Sequence, residues 1–335
     1  MCALGTGPWT KARNGVVNVF SAAVIRVCKK FPVAAWSCAL TPLRFRDNIS
    51  FMASKLDQLR SVLRSCGRTL VAYSGGVDSV FLAKVAHDEL GRDALAVIAD
   101  SPSLPRREFQ EALDLGRKFG FPVQVISTHE MADENYTSNP ANRCYFCKTE
   151  LFGKLADTAK REGWQTIVYG ENASDAGDYR PGAVAAREYK VRAPLKEVGM
   201  TKAEIRELSA KLGLPTATKP QMACLSSRIP YGEPVTDEAL KMIEAAENVL
   251  RDAGFHEIRV RHHNMGSSNS ETRNSKCCLA RIEVGADDFV RLVDGNARES
   301  VTRALKKIGY AHVTLDLQGY RRGSANEIFV KPRED

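Results

Sequence analysis

The segment Thr69-Leu-Val-Ala-Tyr-Ser-Gly-Gly-Val-Asp-Ser79 constrains this chain more than any other. Its first part, Thr69–Tyr73, is a short apolar run of the kind that forms a buried strand. The run breaks at Ser74-Gly75-Gly76, and apolar residues then recur at helical spacing from Val77 to His87. Strand, glycine turn and helix follow in that order. Glycines take backbone dihedrals that a side chain forbids and let the backbone come close to a ligand. The start of the helix offers unpaired N–H groups and the positive end of a dipole, which suits a phosphate. Ser74 and Ser79 add hydroxyl donors, and Asp78 is placed to orient the loop or a magnesium ion.

The loop is neither a Walker A sequence, since spacing and lysine are missing, nor G-x-G-x-x-G. It matches S-G-G-x-D-S and so resembles the pyrophosphate loop (PP-loop) of enzymes that split ATP between the α and β phosphates. The resemblance implies that Ser74, Gly75, Gly76, Val77, Asp78 and Ser79 bind ATP with Mg2+.

The 335 residues suffice for two domains. Apolar content of 44% and charged content of 26% are ordinary for a globular protein. No stretch has the unbroken apolar length that a membrane span needs. The net charge of +8 is uneven: residues 1–50 hold seven basic residues and one acid, Asp47. The remainder, with 41 basic and 39 acidic residues, is nearly neutral, which argues against nucleic acid as a partner. Nine cysteines without regular spacing do not form a secreted disulfide framework, so a reducing compartment, the cytoplasm, is expected.

Residues 1–51 read as an extension outside the fold. They are basic and poor in acids, as organelle transit peptides are. A start placed upstream of the true one fits better, because Met52 sits just before the globular pattern begins, and real structure is the third reading. From Leu56 helices and strands alternate. The pattern predicts helix 56–65, strand 69–73, the loop helix, strand 94–99, helix 106–119 and strand 123–127. A loop over 129–143, helix 148–161 and strand 166–169 follow. Asp100 ends the second strand, where a doubly wound sheet places ligand contacts. Residues 170–186 read as loop. Thr201-Lys-Ala-Glu204 is a capping box that opens a helix to about Leu212. The expectation is a parallel α/β domain over 52–232. Helix 237–253, strands 257–262 and 279–284, helix 287–308 and strand 312–317 predict a smaller α+β domain over 233–326, with a tail at 327–335. Asn264–Cys278 reads as a Ser/Asn-rich inserted loop.

Cys144 and Cys147 form C-x-x-C at a loop-to-helix junction, a pattern shared by redox pairs, zinc sites, iron–sulfur sites and incidental cysteines. Zinc would want four ligands, whereas three thiolates, with Cys224 as the third, suit a 4Fe-4S cluster with one open iron. Cys224 lies between Pro220 and Pro230 beside Ser226, Ser227 and Arg228, and a nearby arginine favours thiolate. A buried, inert cysteine is the alternative. Arg259 and Arg261 alternate on a strand and share a face; two adjacent guanidinium groups suit a phosphate, though a solvated strand face has the same spacing.

Together these residues resemble the LarE family of ATP-dependent sulfur transferases, which help to build the nickel-pincer nucleotide cofactor of lactate racemase. Tyr73–Ser79, Arg143–Lys148, Tyr169–Asn172, Gly177–Gly182, Ala223–Gly232, Arg259–His263, Leu279–Val284 and Asp316–Tyr320 carry the resemblance, which spans about residues 56–326. It implies that ATP adenylates a carboxylate of a pyridinium-3,5-biscarboxylic acid mononucleotide and that sulfur then displaces AMP to leave a thiocarboxylate. In one branch of the family the sulfur is that of the cysteine matching Cys224, which becomes dehydroalanine. In the other, three cysteines hold a 4Fe-4S cluster that carries an extra sulfide. The full triad Cys144, Cys147 and Cys224 implies the cluster branch. By the same resemblance Arg259 and Arg261 grip the substrate phosphate, and Ser227, Arg228 and Glu247 are further substrate-site positions. Assembly as hexamers and hand-over of the product to a nickel-inserting protein are also implied.

Residues 1–50 and the insert after the arginine strand depart from the family pattern. Competing readings are a PP-loop tRNA thiolase, an amide-forming ligase such as NAD synthetase, and a non-catalytic nucleotide- or cluster-binding protein. A thiolase should be more basic, and a ligase has no need of the three cysteines.

Overall fold

Four parallel strands hold the Ser-Gly-Gly loop of residues 74–79, and their order explains where it sits. A computed structural model describes residues 43–175, 180–220, 223–266 and 278–321, with side chains from Ser54 onward. The expected extension (apart from the start of the first helix), the centre of the insert (267–277), the stretch 176–179 and the tail lie outside the described residues. Asn48–Asp335 forms one compact unit that contains both sheets.

The strands of the first sheet are β1 (Thr69–Tyr73), β2 (Ala94–Asp100), β3 (Val123–Ser127) and β4 (Thr166–Tyr169), in the order β3-β2-β1-β4. β1 is buried along its whole length, as a strand covered on both faces should be. Helices α1 (Leu43–Cys66), α2 (Val77–Leu90) and α3 (Arg106–Phe119) follow the expected alternation. A short helix α4 (Glu134–Thr137) precedes α5 (Arg143–Glu162); α6 (Pro181–Glu188), α7 (Pro194–Glu197) and α8 (Lys202–Lys211) complete this part. Leu59, Leu63, Phe81 and Leu208 belong to a core on one face of the sheet, and Phe152, Leu155 and Ala185 to a core on the other. This is the α/β architecture expected. The chain runs from β1 outward to β3, then returns to place β4 on the other side of β1. The switch of direction lies between β1 and β4, where open α/β sheets bind ligands at the carboxyl ends of their strands.

The smaller sheet contains β5 (Ile258–Asn264), β6 (Cys278–Val284) and β7 (His312–Leu315), with β5–β6 antiparallel and β6–β7 parallel. Helices α9 (Asp237–Asp252), α10 (Ala286–Val293) and α11 (Gly295–Ile308) accompany it. Its core includes Leu250, Phe255, Val260, Ile282 and Leu305. The β5–β6 register runs unbroken to Asn264 opposite Cys278, so the insert begins where pairing ends and leaves the arginine strand in place.

Several local expectations differ from the structure, among them the loop expected over 129–143, which contains α4, and the strand expected over 312–317, which ends at Leu315. α5 starts at Arg143, so both cysteines of C-x-x-C lie within the helix. Residues 181–188 are helical, with Pro181 suited to the first turn. The single helix expected over 287–308 is two, because Gly295 takes φ 54°, which a continuous helix does not allow. No described helix is long and apolar enough to cross a membrane.

His262 points into the smaller core with its Nδ1 3.2 Å from the Tyr310 hydroxyl. Burial, with a lesser push from His263, lowers its imidazole from 6.5 to about 4. The unfolded chain therefore takes up this proton first as pH falls, and stability on the order of 3 kcal/mol is lost between about pH 6.5 and 4. His262→Phe is expected to flatten that limb in urea unfolding at pH 7 and pH 4.5. An unchanged slope would assign the acid limb to other groups.

Candidate active site

The loop of residues 74–79 is built by hydroxyl contacts and by two close approaches. Ser74 N–H donates to Ser79 Oγ at 3.2 Å, the two hydroxyls are 3.1 Å apart, and Ser79 Oγ donates to the Gly76 carbonyl at 3.1 Å. Gly75 has φ +72°, and a Cβ there would meet the Ala112 Cβ at 2.7 Å. At the exit of β4, a Cβ on Gly170 would lie 3.0 Å from the Ser79 nitrogen. Gly75 lets the loop pass close to α3, and Gly170 lets the exit of β4 pass close to the start of α2. Gly76 caps α2 without a side chain, so the helix start stays open to a ligand.

Asp78 lies in the first turn of α2. Its Oδ2 is ion-paired with Lys202, while its Oδ1 is buried and has no hydrogen-bond partner among the described residues. Burial raises its carboxyl above the usual range, against the pull of Lys202. A hard oxygen with no partner among the described residues, in the first turn of α2, is the kind of donor that Mg2+ takes.

The second half of the site is the Cys224 loop. Leu225–Arg228 forms a 3-10 turn, and Leu225 N–H donates to the Ser103 carbonyl at 2.8 Å. Arg228 is 2% exposed and grips the turn from below. Its Nη1 donates to the carbonyls of Ala223 (2.8 Å) and Cys224 (3.0 Å), while Nε and Nη2 meet Glu247 at 2.8 and 3.0 Å. Ser227 Oγ donates to the Cys224 carbonyl at 2.8 Å. Arg143, also buried, donates to the Ser226 carbonyl at 3.1 Å and thereby ties the first turn of α5 to the same loop. This contact, rather than a side-chain cap, fixes where α5 begins.

The two halves face one cavity of about 470 Å³, lined among others by Ser74, Gly76, Asp78, Cys144, Cys147, Cys224, Arg228 and Arg259. Seven basic side chains line it against three carboxylates, a surplus that draws polyanions. Cys144 is open to the cavity and Cys147 and Cys224 partly so; none is in a disulfide. Burial raises the Cys144 thiol and pushes that of Cys147 up to about 12, and nearby Cys224 adds to both. Cys147 thus stays protonated at neutral pH unless a metal takes its place on sulfur. Among the described residues, no three His, Cys, Asp or Glu side chains, the three cysteines included, gather into a group that could hold a metal ion. The three thiols line one cavity, and in kind and number, though not as a gathered group, they are those a polynuclear cluster bound at three corners would take.

Two expected substrate contacts take other partners. Glu247 is 1% exposed, its oxygens are engaged by Arg228, and it also accepts from Val260 N–H at 3.2 Å. It positions Arg228 and does not face the cavity. Arg261 makes a two-pronged pair with Glu283 at 2.8 and 3.0 Å and donates to the Ser227 carbonyl at 2.7 Å. Of the two strand arginines, Arg259 is the one that lines the cavity, stacked on the Tyr320 ring at 5.0 Å. Asp100 is ion-paired with Arg106. Sequence reading missed Asp175, Arg180, Lys202 and Arg251, all of which line the cavity. Arg251 sits in the last turn of α9, where a basic residue ordinarily complements the helix dipole.

No family model matches the chain. It is 41% identical to a protein of Synechocystis sp. over 280 residues, covering 84% of this chain and 100% of the relative. It is 34% identical to the pyridinium-3,5-bisthiocarboxylic acid mononucleotide synthase of Lactiplantibacillus plantarum over 281 residues, covering 84% and 96%. A glutamine-hydrolyzing GMP synthase of Ligilactobacillus salivarius is 24% identical over 58% of this chain and 41% of its own.

Proposed function

This chain belongs to the LarE family, that of pyridinium-3,5-bisthiocarboxylic acid mononucleotide synthase, and we propose that it shares that reaction. It would convert the carboxylates of the pyridinium-3,5-biscarboxylic acid mononucleotide to thiocarboxylates, at the expense of ATP, for the nickel-pincer cofactor. The observation that carries the reading is the single cavity in which a phosphate loop, three thiols and Arg259 meet.

A carboxylate is a poor electrophile until one oxygen becomes a leaving group. The substrate carboxylate oxygen attacks the α-phosphorus of ATP, and pyrophosphate leaves. Ser74, Gly76 and the open start of α2 hold the phosphates, while Mg2+, held by Asp78, would neutralise them. Arg259 binds the substrate phosphate, with its guanidinium kept in place by Tyr320. Sulfur then attacks the carbonyl carbon and AMP leaves. When Cys224 itself attacks, the thioester is resolved by loss of the Cys224 α-proton and cleavage of its Cβ–Sγ bond. The thiocarboxylate departs and dehydroalanine remains. A 4Fe-4S cluster held by Cys144, Cys147 and Cys224 would supply an expendable sulfide and spare Cys224. Arg228 and Ser227 fix the backbone of Cys224 in either case.

Two measurements test this on protein purified without oxygen from cells that make the mononucleotide. ATP–pyrophosphate exchange is expected to depend on the biscarboxylic acid substrate. Iron and the mass of the Cys224 peptide then separate the routes: about four irons with intact cysteine for the cluster, or loss of one H₂S for the sacrificial route. Intact Cys224 without iron would sink both routes and favour an amide-forming ligase.

A further inference from the structure

We propose that Lys202 is a phosphate ligand of the bound nucleotide, held in reserve on Asp78 until a divalent cation takes the aspartate. The inference rests on the reading of residues 74–79 as a nucleotide loop. Lys202 opens α8, and its backbone is fixed on both sides. Thr201 and Glu204 form a closed capping box around it, and its own N–H donates to Ser174 Oγ at 3.0 Å. Only the side chain is left to move. Its four-carbon stem carries the ammonium to Asp78 Oδ2, and both residues line the cavity beside Ser74 and Gly76.

This pair differs from the saturated one beneath Cys224. Arg228 and Glu247 meet at two points and each has further partners. Lys202 touches one oxygen of Asp78 and leaves Oδ1 buried without a partner among the described residues. A permanent strut would not strand a buried carboxylate oxygen, since that costs free energy. A site awaiting a cation would. The ordinary charge preferences of the parts then set the exchange. A magnesium ion prefers carboxylate and phosphate oxygens, and an ammonium released from the carboxylate finds the triphosphate within the same cavity. The reserve pair also keeps Asp78 from presenting a bare negative charge to the incoming nucleotide.

The test is equilibrium binding of α,β-methylene-ATP with Mg2+, which cannot be split between those phosphates. Lys202→Met is expected to weaken binding about 10- to 100-fold, and Lys202→Arg to recover part of the loss. Lys211→Met, which removes a surface pair on the same helix, should bind as the unaltered protein does. Thermal unfolding without nucleotide should be alike for the unaltered protein, Lys202→Arg and Lys211→Met, with Lys202→Met lower by no more than the loss of its pair with Asp78. Unchanged or tighter binding by Lys202→Met overturns the proposal, as does weaker binding with a lowered melting temperature and no recovery by arginine. If the unaltered protein does not bind the analogue, the nucleotide loop reading and the proposal fall together. If it binds without showing carboxylate-dependent exchange, the sulfur-transfer reading fails and Lys202 keeps its role.

Discussion

Replacing Arg228 with methionine is expected to cost about 3 kcal/mol of stability, because the buried Glu247 carboxylate loses its two-pronged partner and keeps only the Val260 N–H and Arg251, 3.8 Å away. Arg228 and Glu247 are 2% and 1% exposed and meet at 2.8 and 3.0 Å. Burial by itself would raise the Glu247 carboxyl, but the Arg228 guanidinium outweighs it and holds the group below its ordinary range. In the intact protein this pair therefore contributes stability above the ordinary glutamate range, and that contribution is lost as pH falls. Without Arg228 the sign reverses. Desolvation then dominates, Glu247 prefers the protonated form, and the deficit shrinks in acid. Urea unfolding at pH 7 and pH 5 checks both points. Arg228→Met with Glu247→Leu should regain most of the loss, since two apolar side chains can fill the space of a buried ion pair. A deficit below about 1 kcal/mol would place this pair with exposed ones.

The second large effect concerns chemistry rather than folding. Cys224→Ser is expected to lower thiocarboxylate formation by on the order of 10⁴-fold or more, the usual cost of removing a nucleophile. Substrate-dependent ATP–pyrophosphate exchange should persist, because adenylation uses the other half of the cavity. The substitution removes one sulfur and leaves the turn's hydrogen bonds, which are made by the Cys224 carbonyl and not by its side chain. Thiocarboxylate formation within tenfold of the unaltered protein would move the sulfur role away from Cys224. Loss of exchange as well would make Cys224 part of the nucleotide site.

The strands of the larger sheet were legible because each is a short apolar run bounded by turn residues, and three of the four match residue for residue. The nucleotide loop was legible because its hydroxyls and glycines act within six residues of one another. The partners of the Cys224 loop were not. Arg228 meets Glu247 across 19 residues of sequence, and Arg143 meets Ser226 across 83. Nothing local in a glutamate on an amphipathic helix reveals that it will be buried under a turn. The break at Gly295 was visible as a residue but was outweighed by apolar periodicity on either side. Arg259 and Arg261 share a face as their spacing requires, yet Glu283 on the neighbouring strand decides which of them reaches the cavity.

The ladder between β5 and β6 closes at Asn264 and Cys278, directly across from each other. Chain length beyond that point is uncoupled from the geometry of the arginine strand. Lengthening such a connection costs little, roughly 0.6 kcal/mol for each doubling. The hairpin end is thus a port on the molecule, where a spectroscopic label or an affinity handle can be built in without retuning the fold that aims Arg259.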